Sequence, residues 1–257
     1  MTLNHITDTH SHYDDPRFDG IRDELISSLF SRGISAIIHA ADTVKSSEYG
    51  VAAAQKYPRY FTAVGIHPEH ANGVTESELE RISELAKSPK VVAIGEIGLD
   101  YHYEGYDSEA QKRLFEYQIR LAQSLELPII VHSRDAAGDC MDILRRFAPV
   151  SGVMHCFSGS VETAREVLSL GMHISFTGVI TFKNSKKAVQ VLESMPLDRL
   201  LLETDCPYMA PEPFRGKTCD SSMIEYIAKK EAKLLGISLD KLLLATEENA
   251  RRLFKLW

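Results

Sequence analysis

The chain has 257 residues, 44% of them hydrophobic and 25% charged, inside the range of ordinary globular proteins. Surface scaling gives a folded area of about 11,000 Å² against about 42,000 Å² for the extended chain, so a large core forms without disulfides. Lys and Arg number 29 against 36 Asp and Glu, a net charge of −7 that excludes a global positive field for nucleic acid or an anionic membrane. The first element is a strand from His5 (HITDTH), followed by an amphipathic helix from Ile21. Strands then open at Ile34, Tyr60, Val91, Pro128, Ser151, His173 and Arg199. Stretches with apolar residues every three or four positions separate them, from Ser46, Glu76, Ser108, Asp139, Val161 and Lys186. Gly33 and Gly171 each close such a stretch, where a helix end wants positive φ. After Cys206 comes a Pro-rich loop and then helical text from Ser222 to the end.

This alternation of about eight strands with helices predicts an α/β fold, a (β/α)8 TIM barrel, as a single domain over residues 1–257. A doubly wound open sheet uses the same rhythm. It is disfavoured because no GxGxxG turn follows the first strand and polar residues gather at many strand ends rather than near one switch point. No apolar run reaches the ~18 to 20 residues of a membrane span, and the opening lacks the regions of a signal peptide. Cys140, Cys156, Cys206 and Cys219 form no CxxC pair, so thiols in a cytoplasmic protein are expected.

His10 and His12 stand two apart at the end of the first strand, where positions i and i+2 share a face and both imidazoles can converge. Glu96, His132, His155 and Asp205 end the fourth, fifth, sixth and eighth strands. Barrel closure brings these ends to one mouth, giving a nitrogen and oxygen cluster suited to divalent metal. Six protein ligands exceed what one open tetrahedral ion needs, so two ions are expected, and four imidazoles with two carboxylates suit Zn, Mn, Fe or Co. Glu96 is the natural bridge, with His10, His12 and Asp205 on one ion and His132 and His155 on the other. Paired ions suit phosphoryl displacement, and Asp205 is positioned to take a proton from water.

The motifs DTHSHYD, GIHP, GEIGLDYHY, HSRDA, HCFSG, ETDCPY and RGK stand in the order and spacing of the TatD family of metal-dependent deoxyribonucleases, which the chain resembles from about Asp8 onward. The resemblance implies a (β/α) barrel hydrolase, divalent metal held by the same six residues, with Mg joining Mn and Zn as a working ion, and 3′-to-5′ hydrolysis of DNA. Where the family usually continues RGK with a basic residue and Asn-Glu-Pro, this chain has Thr218, Cys219, Asp220 and Ser221, so the loop near the mouth is expected to depart from the family there, and with it substrate range and strength of DNA binding.

Arg134, Arg215 and Lys217 are candidate phosphate contacts, and His67, in the GIHP motif, a candidate substrate or supporting residue. Asp100 and Glu203 are placed to orient ligand histidines. Cys156 and Cys206 each follow a ligand by one residue, so strand alternation predicts core positions for both; Phe61, Phe115, Phe254 and Trp257 are read as packing. Within the nuclease reading the net charge favours a short strand end entering a small mouth, and the polarity that the resemblance implies makes a single-stranded 3′ end the expected substrate, with no membrane and no obligate protein partner. Competing readings are an amidohydrolase, lactonase, deaminase or other phosphoesterase, or a non-catalytic metal scaffold. The fourth strand offers Glu96 and no Lys to be carboxylated, which favours the phosphodiesterase.

Overall fold

A computed structural model describes residues 4–256, so Trp257 lies outside the described residues. All eight expected strands are present: β1 (Ile6–Ser11), β2 (Ile34–Ala40), β3 (Tyr60–Val64), β4 (Val91–Asp100), β5 (Ile129–Arg134), β6 (Gly152–Met154), β7 (His173–Phe176) and β8 (Leu200–Leu202). Between them lie α1 (Arg22–Ser31), α2 (Val44–Lys56), α3 (Glu76–Leu85), α4 (Ser108–Ser124), α5 (Ala137–Arg146), α6 (Val161–Ser169) and α7 (Lys186–Ser194). Two helices follow β8, α8 (Ile224–Leu235) and α9 (Leu239–Phe254).

The strands pair in parallel in sequence order, and Ser11 bridges Cys206 to bring β8 back to β1. The ring is a TIM barrel. Parallel neighbours need long crossovers, which the intervening helices supply. Local chemistry sets several helix ends: Thr75 and Glu78 form a reciprocal capping box on α3, and the Asp107 carboxylate accepts from two N–H groups opening α4. Each such cap is worth about 1 kcal/mol. Gly33 and Gly171 follow α1 and α6 with φ of +109° and +92°, as their spacing predicted.

Alternation along each strand divides the apolar residues into two layers. One face packs against the helices, with Ile37, Tyr60, Ile94, Ile129 and Leu200 in a continuous core. The other gathers Ile38, Ala63, Ile130, Val153 and Leu201 with Leu253 and Phe254 of α9, a second cluster in the barrel interior. Phe61, Phe115 and Phe254 are buried, so these three pack as expected. No helix among the described residues is long and apolar enough to cross a membrane.

Candidate metal centre

The interior face changes character along each strand. In β5 the residues Ile130 and His132 share it; beside them run Val153 and His155, then Leu201, Glu203 and Asp205. Apolar side chains fill the lower barrel, and the next positions on the same face carry ligand types. Glu96 reaches the centre through a bulge in β4: Ile94 pairs with Ile129 and Ile97 with Val131, so Gly95 and Glu96 oppose the single residue Ile130. Gly98 lets β4 pass beside His132. Its φ is +139°, and a Cβ there would lie 2.0 Å from the His132 carbonyl oxygen, so only glycine fits.

The two oxygens of Glu96 face different donor sets. Its Oε2 lies 3.2 Å from His10 Nε2 and 3.6 Å from His12 Nε2, while Asp205 Oδ1 stands 3.2 Å from His12 Nε2 and 3.7 Å from His10 Nε2. Its Oε1 lies 2.7 Å from His155 Nε2, 3.0 Å from His132 Nδ1 and 3.6 Å from His67 Nε2. The imidazole nitrogens are 3.1 Å apart in the His10 and His12 pair and 3.4 Å apart in the His132 and His155 pair. Ligands about 2.0 to 2.2 Å from a common ion stand about 2.8 to 3.6 Å from one another between right-angle and tetrahedral coordination, and most of these separations lie in that range, with His155–Glu96 at 2.7 Å and His10–Asp205 at 3.7 Å at its edges. The donor set is hard oxygen with imidazole nitrogen, and all six expected ligands are brought together.

A carboxylate stands behind each ring of the second donor set, and the one behind His132 is hydrogen-bonded to it. His132 Nε2–H donates to Asp100 Oδ2 at 2.9 Å, leaving Nδ1 to face Glu96. Glu203 is fully buried, accepts from Cys156 N–H at 2.6 Å and Ser175 Oγ–H at 2.7 Å, and stands 3.8 Å from His155 Nδ1. The roles expected of Asp100 and Glu203 thus have a geometric basis. Asp8, two residues before His10, plays a part the motif reading missed. It is buried and accepts from Thr204 N–H and Oγ1–H at 3.0 and 2.7 Å and from Ser221 Oγ–H at 2.6 Å. Its signal was its place one alternation before a ligand.

These contacts set the charges. Burial alone would push the Glu96 carboxyl up, but the imidazoles of His155 and His10 hold it well below the carboxylate range. Asp205 is likewise held low against burial, by its bond to His12 and the histidine charges. Burial disfavours the charged forms of His12 and His132, yet Asp205 raises His12 to about 10, and Asp100 with Glu96 raises His132 to about 9. Burial takes His67 down to about 3, so it stays neutral beside the cluster.

Above the cluster opens a cavity of about 970 Å³. His67 and Arg134 line it; the Arg134 guanidinium donates to the Tyr103 hydroxyl at 3.3 Å. Arg215 and Lys217 are exposed and do not line it, Arg215 lying 4.5 Å from the centre of the Phe182 ring. Cys206 is buried, but the core position expected of Cys156 is corrected. Cys156 is half-buried and lines the cavity, because β6 ends at Met154 and φ of +44° at Cys156 breaks the alternation. The atypical segment from Thr218 to Ser221, expected near the mouth, is corrected to a place behind the centre: none of its residues lines the cavity, and Cys219 and Ser221 are buried, Ser221 against Asp8. Tyr208, Lys186 and Lys187 also line the cavity, on loops whose course strand periodicity does not reveal.

A parallel eight-stranded barrel with carboxylate and imidazole ligands at its strand ends defines the class as metal-dependent hydrolase. The model of the TatD-related DNase family matches residues 7–255, and the chain belongs to that family. A metal-dependent hydrolase of Bacillus subtilis, YabD, described as uncharacterized, is 40% identical over 97% of this chain and 98% of its own length. A Cronobacter turicensis relative named 3′-5′ ssDNA/RNA exonuclease TatD is 33% identical over 93% of each chain. The crystal structure of the Escherichia coli TatD homolog YJJV superposes with a TM-score of 0.93 at 31% identity, covering 98% of this chain and 99% of that one.

Proposed function

We propose that this chain, acting as a single cytoplasmic domain, is a divalent-metal-dependent nuclease that removes nucleotides from the 3′ ends of single-stranded DNA. The observation that carries the reading is the division of Glu96, with one oxygen facing His10 and His12 and the other His132 and His155. Two ions of the Mg, Mn or Zn type held in these sets would supply Lewis acidity and a water that ionises near neutral pH. The family membership and the name of the Cronobacter relative support nucleic acid as the substrate.

The chain's own residues then have distinct tasks. Asp205, kept anionic beside His12, accepts a proton from the water that attacks phosphorus, while the bond from phosphorus to the leaving oxygen breaks. Glu96 holds the two donor sets in one geometry. Arg134 meets the phosphate from the β5 end, and neutral His67 flanks the leaving group. Arg215 and Lys217 meet only the part of a strand lying outside the cavity.

The test is digestion of a 5′-labelled single-stranded oligonucleotide after chelator treatment and separate readdition of Mg, Mn or Zn. A ladder shortening from the 3′ end, present only with metal and lost in His132→Ala, is expected. Internal cuts or shortening from the 5′ end would refute the polarity, and no cleavage with any ion would refute the nuclease.

A further inference from the structure

The cavity walls differ in charge according to the strands that carry them. Strands β1, β2 and β3 are neighbours in the ring, and the segments after them supply Asp14, Asp42 and Glu69 to the lining. Among the described residues, no Lys or Arg lies within 4.0 Å of these three carboxylates; Asp14 has His39 at 3.9 Å. The far side of the ring supplies cations instead: Arg134 ends β5, and Lys186 and Lys187 open α7 after β7. Among the described residues, neither lysine nor Arg134 has a carboxylate within 4.0 Å; Arg134 donates to the neutral Tyr103 hydroxyl, and its nearest acidic influence is Asp100, its register partner on β4, which is itself bonded to His132. The metal ligands lie between an acidic wall and a basic one.

A phosphodiester chain carries one negative charge per nucleotide, so it lies against the basic wall and is repelled by the acidic one. A strand passing through the site would put phosphates on both walls. A strand that ends at the site needs only the basic one. We infer that this opposed charge makes the site a reader of chain ends: Lys186, Lys187 and Arg134 hold the body of the strand, and Asp42 and Glu69, with Asp14, refuse its continuation past the cleaved bond. The inference rests on the nuclease reading and adds the residues that confine it to termini.

The experiment compares a linear single-stranded DNA with a covalently closed circle of the same sequence, using metal-loaded wild type and two double variants. Wild type is expected to shorten the linear strand and spare the circle. Asp42→Asn/Glu69→Gln is expected to cut the circle at least about tenfold faster than wild type, since one charge several ångströms away in a partly hydrated site alters binding on the order of fivefold. This is a gain of activity, which misfolding does not imitate. Lys186→Ala/Lys187→Ala is expected to raise KM for a twelve-nucleotide strand by about tenfold, and to raise it much less for a dinucleotide.

A neutralised variant that still spares the circle while shortening the linear strand overturns the inference and leaves the nuclease reading standing. So does a lysine variant with unchanged KM on the longer strand. Wild type that cuts circle and linear strand equally overturns both the inference and the end-directed part of that reading. Wild type inert on both DNAs but active on bis(p-nitrophenyl) phosphate removes DNA as the substrate and the inference with it.

Discussion

The two donor sets of the proposed metal centre are held in place by different means. His10, His12 and Asp205 stand where the barrel closes: Asp205 N–H donates to His10 O at 2.9 Å, and His12 N–H to Cys206 O at 2.7 Å. Asp8 lies beneath and ties β1 to Thr204 and Ser221. His132 and His155 instead depend on side chains, one ring bonded to Asp100 and the other facing Glu203. The first half is inseparable from closing the fold, so damage there registers as lost stability. The second rests on carboxylates behind its rings, Asp100 hydrogen-bonded to His132 and Glu203 standing 3.8 Å from His155, so damage registers as lost metal affinity.

Glu96 belongs to both halves, and its substitution has the largest expected effect. Glu96→Gln keeps the size but removes the charge that offsets the histidines around it. Loss of hydrolysis by about 10³-fold or more is expected, with bound metal below the wild-type stoichiometry by elemental analysis. Full metal content with near-normal rate would remove Glu96 as the link between the two sets.

The comparison is sharpened by one variant on each side. Asp8→Ala leaves the Thr204 and Ser221 hydroxyls and the Thr204 N–H without their buried acceptor, costing about 2 to 4 kcal/mol. For a chain of this size that lowers Tm by roughly 5 to 15 °C. Asp100→Asn removes the anion from the His132 ring and is expected to weaken metal binding about 10- to 100-fold, with Tm of the metal-free protein moving far less. Calorimetry and metal titration of both proteins decide the matter; equal Tm losses would erase the distinction between the halves.

A smaller effect follows from protons. His12 and His132 are raised to about 10 and about 9, above the ordinary imidazole value, so they stabilise the metal-free protein fully below about 6.5. That contribution is lost as pH rises through about 9 to 10. Metal requires neutral imidazoles and binds more tightly over the same rise. Both trends widen the Tm gap between metal-loaded and chelated protein from pH 6 to pH 9. Thermal unfolding of paired samples measures it, and a gap that narrows with pH would contradict the assigned proton load.

The ring and the convergence of the six candidate ligands were legible because both depend on short periods. A two-residue alternation puts His10 with His12, and aligns Ile130 with His132, so apolar runs ending in ligand types announce strands and site together. The parts that escaped depend on where the chain leaves that period. Strands β6 and β8 stop at Met154 and Leu202, and φ of +44° at Cys156 and +61° at Asp205 turns the chain at the mouth. That turn brings Cys156 into the cavity. The partnership of Asp8 with Ser221 spans 213 residues, and Lys186 meets the site only through the closure of the ring. No local pattern encodes such contacts.

Ser221 gives the finest test of the division, because it occupies the segment where the chain departs from its family pattern. Its hydroxyl donates to Asp8 Oδ2 at 2.6 Å and stands 2.7 Å from the Tyr13 hydroxyl, while its N–H donates to Tyr13 at 3.0 Å. None of these atoms lines the cavity. Ser221→Ala therefore costs about 1 kcal/mol, a fall in Tm of roughly 2 to 4 °C. The ratio of rates on single-stranded DNA and a small phosphodiester is expected to stay at the wild-type value. A changed ratio with unchanged Tm would move this segment from the support of the barrel seam to substrate selection, and would make the closure half of the centre responsive to substrate as well as to folding.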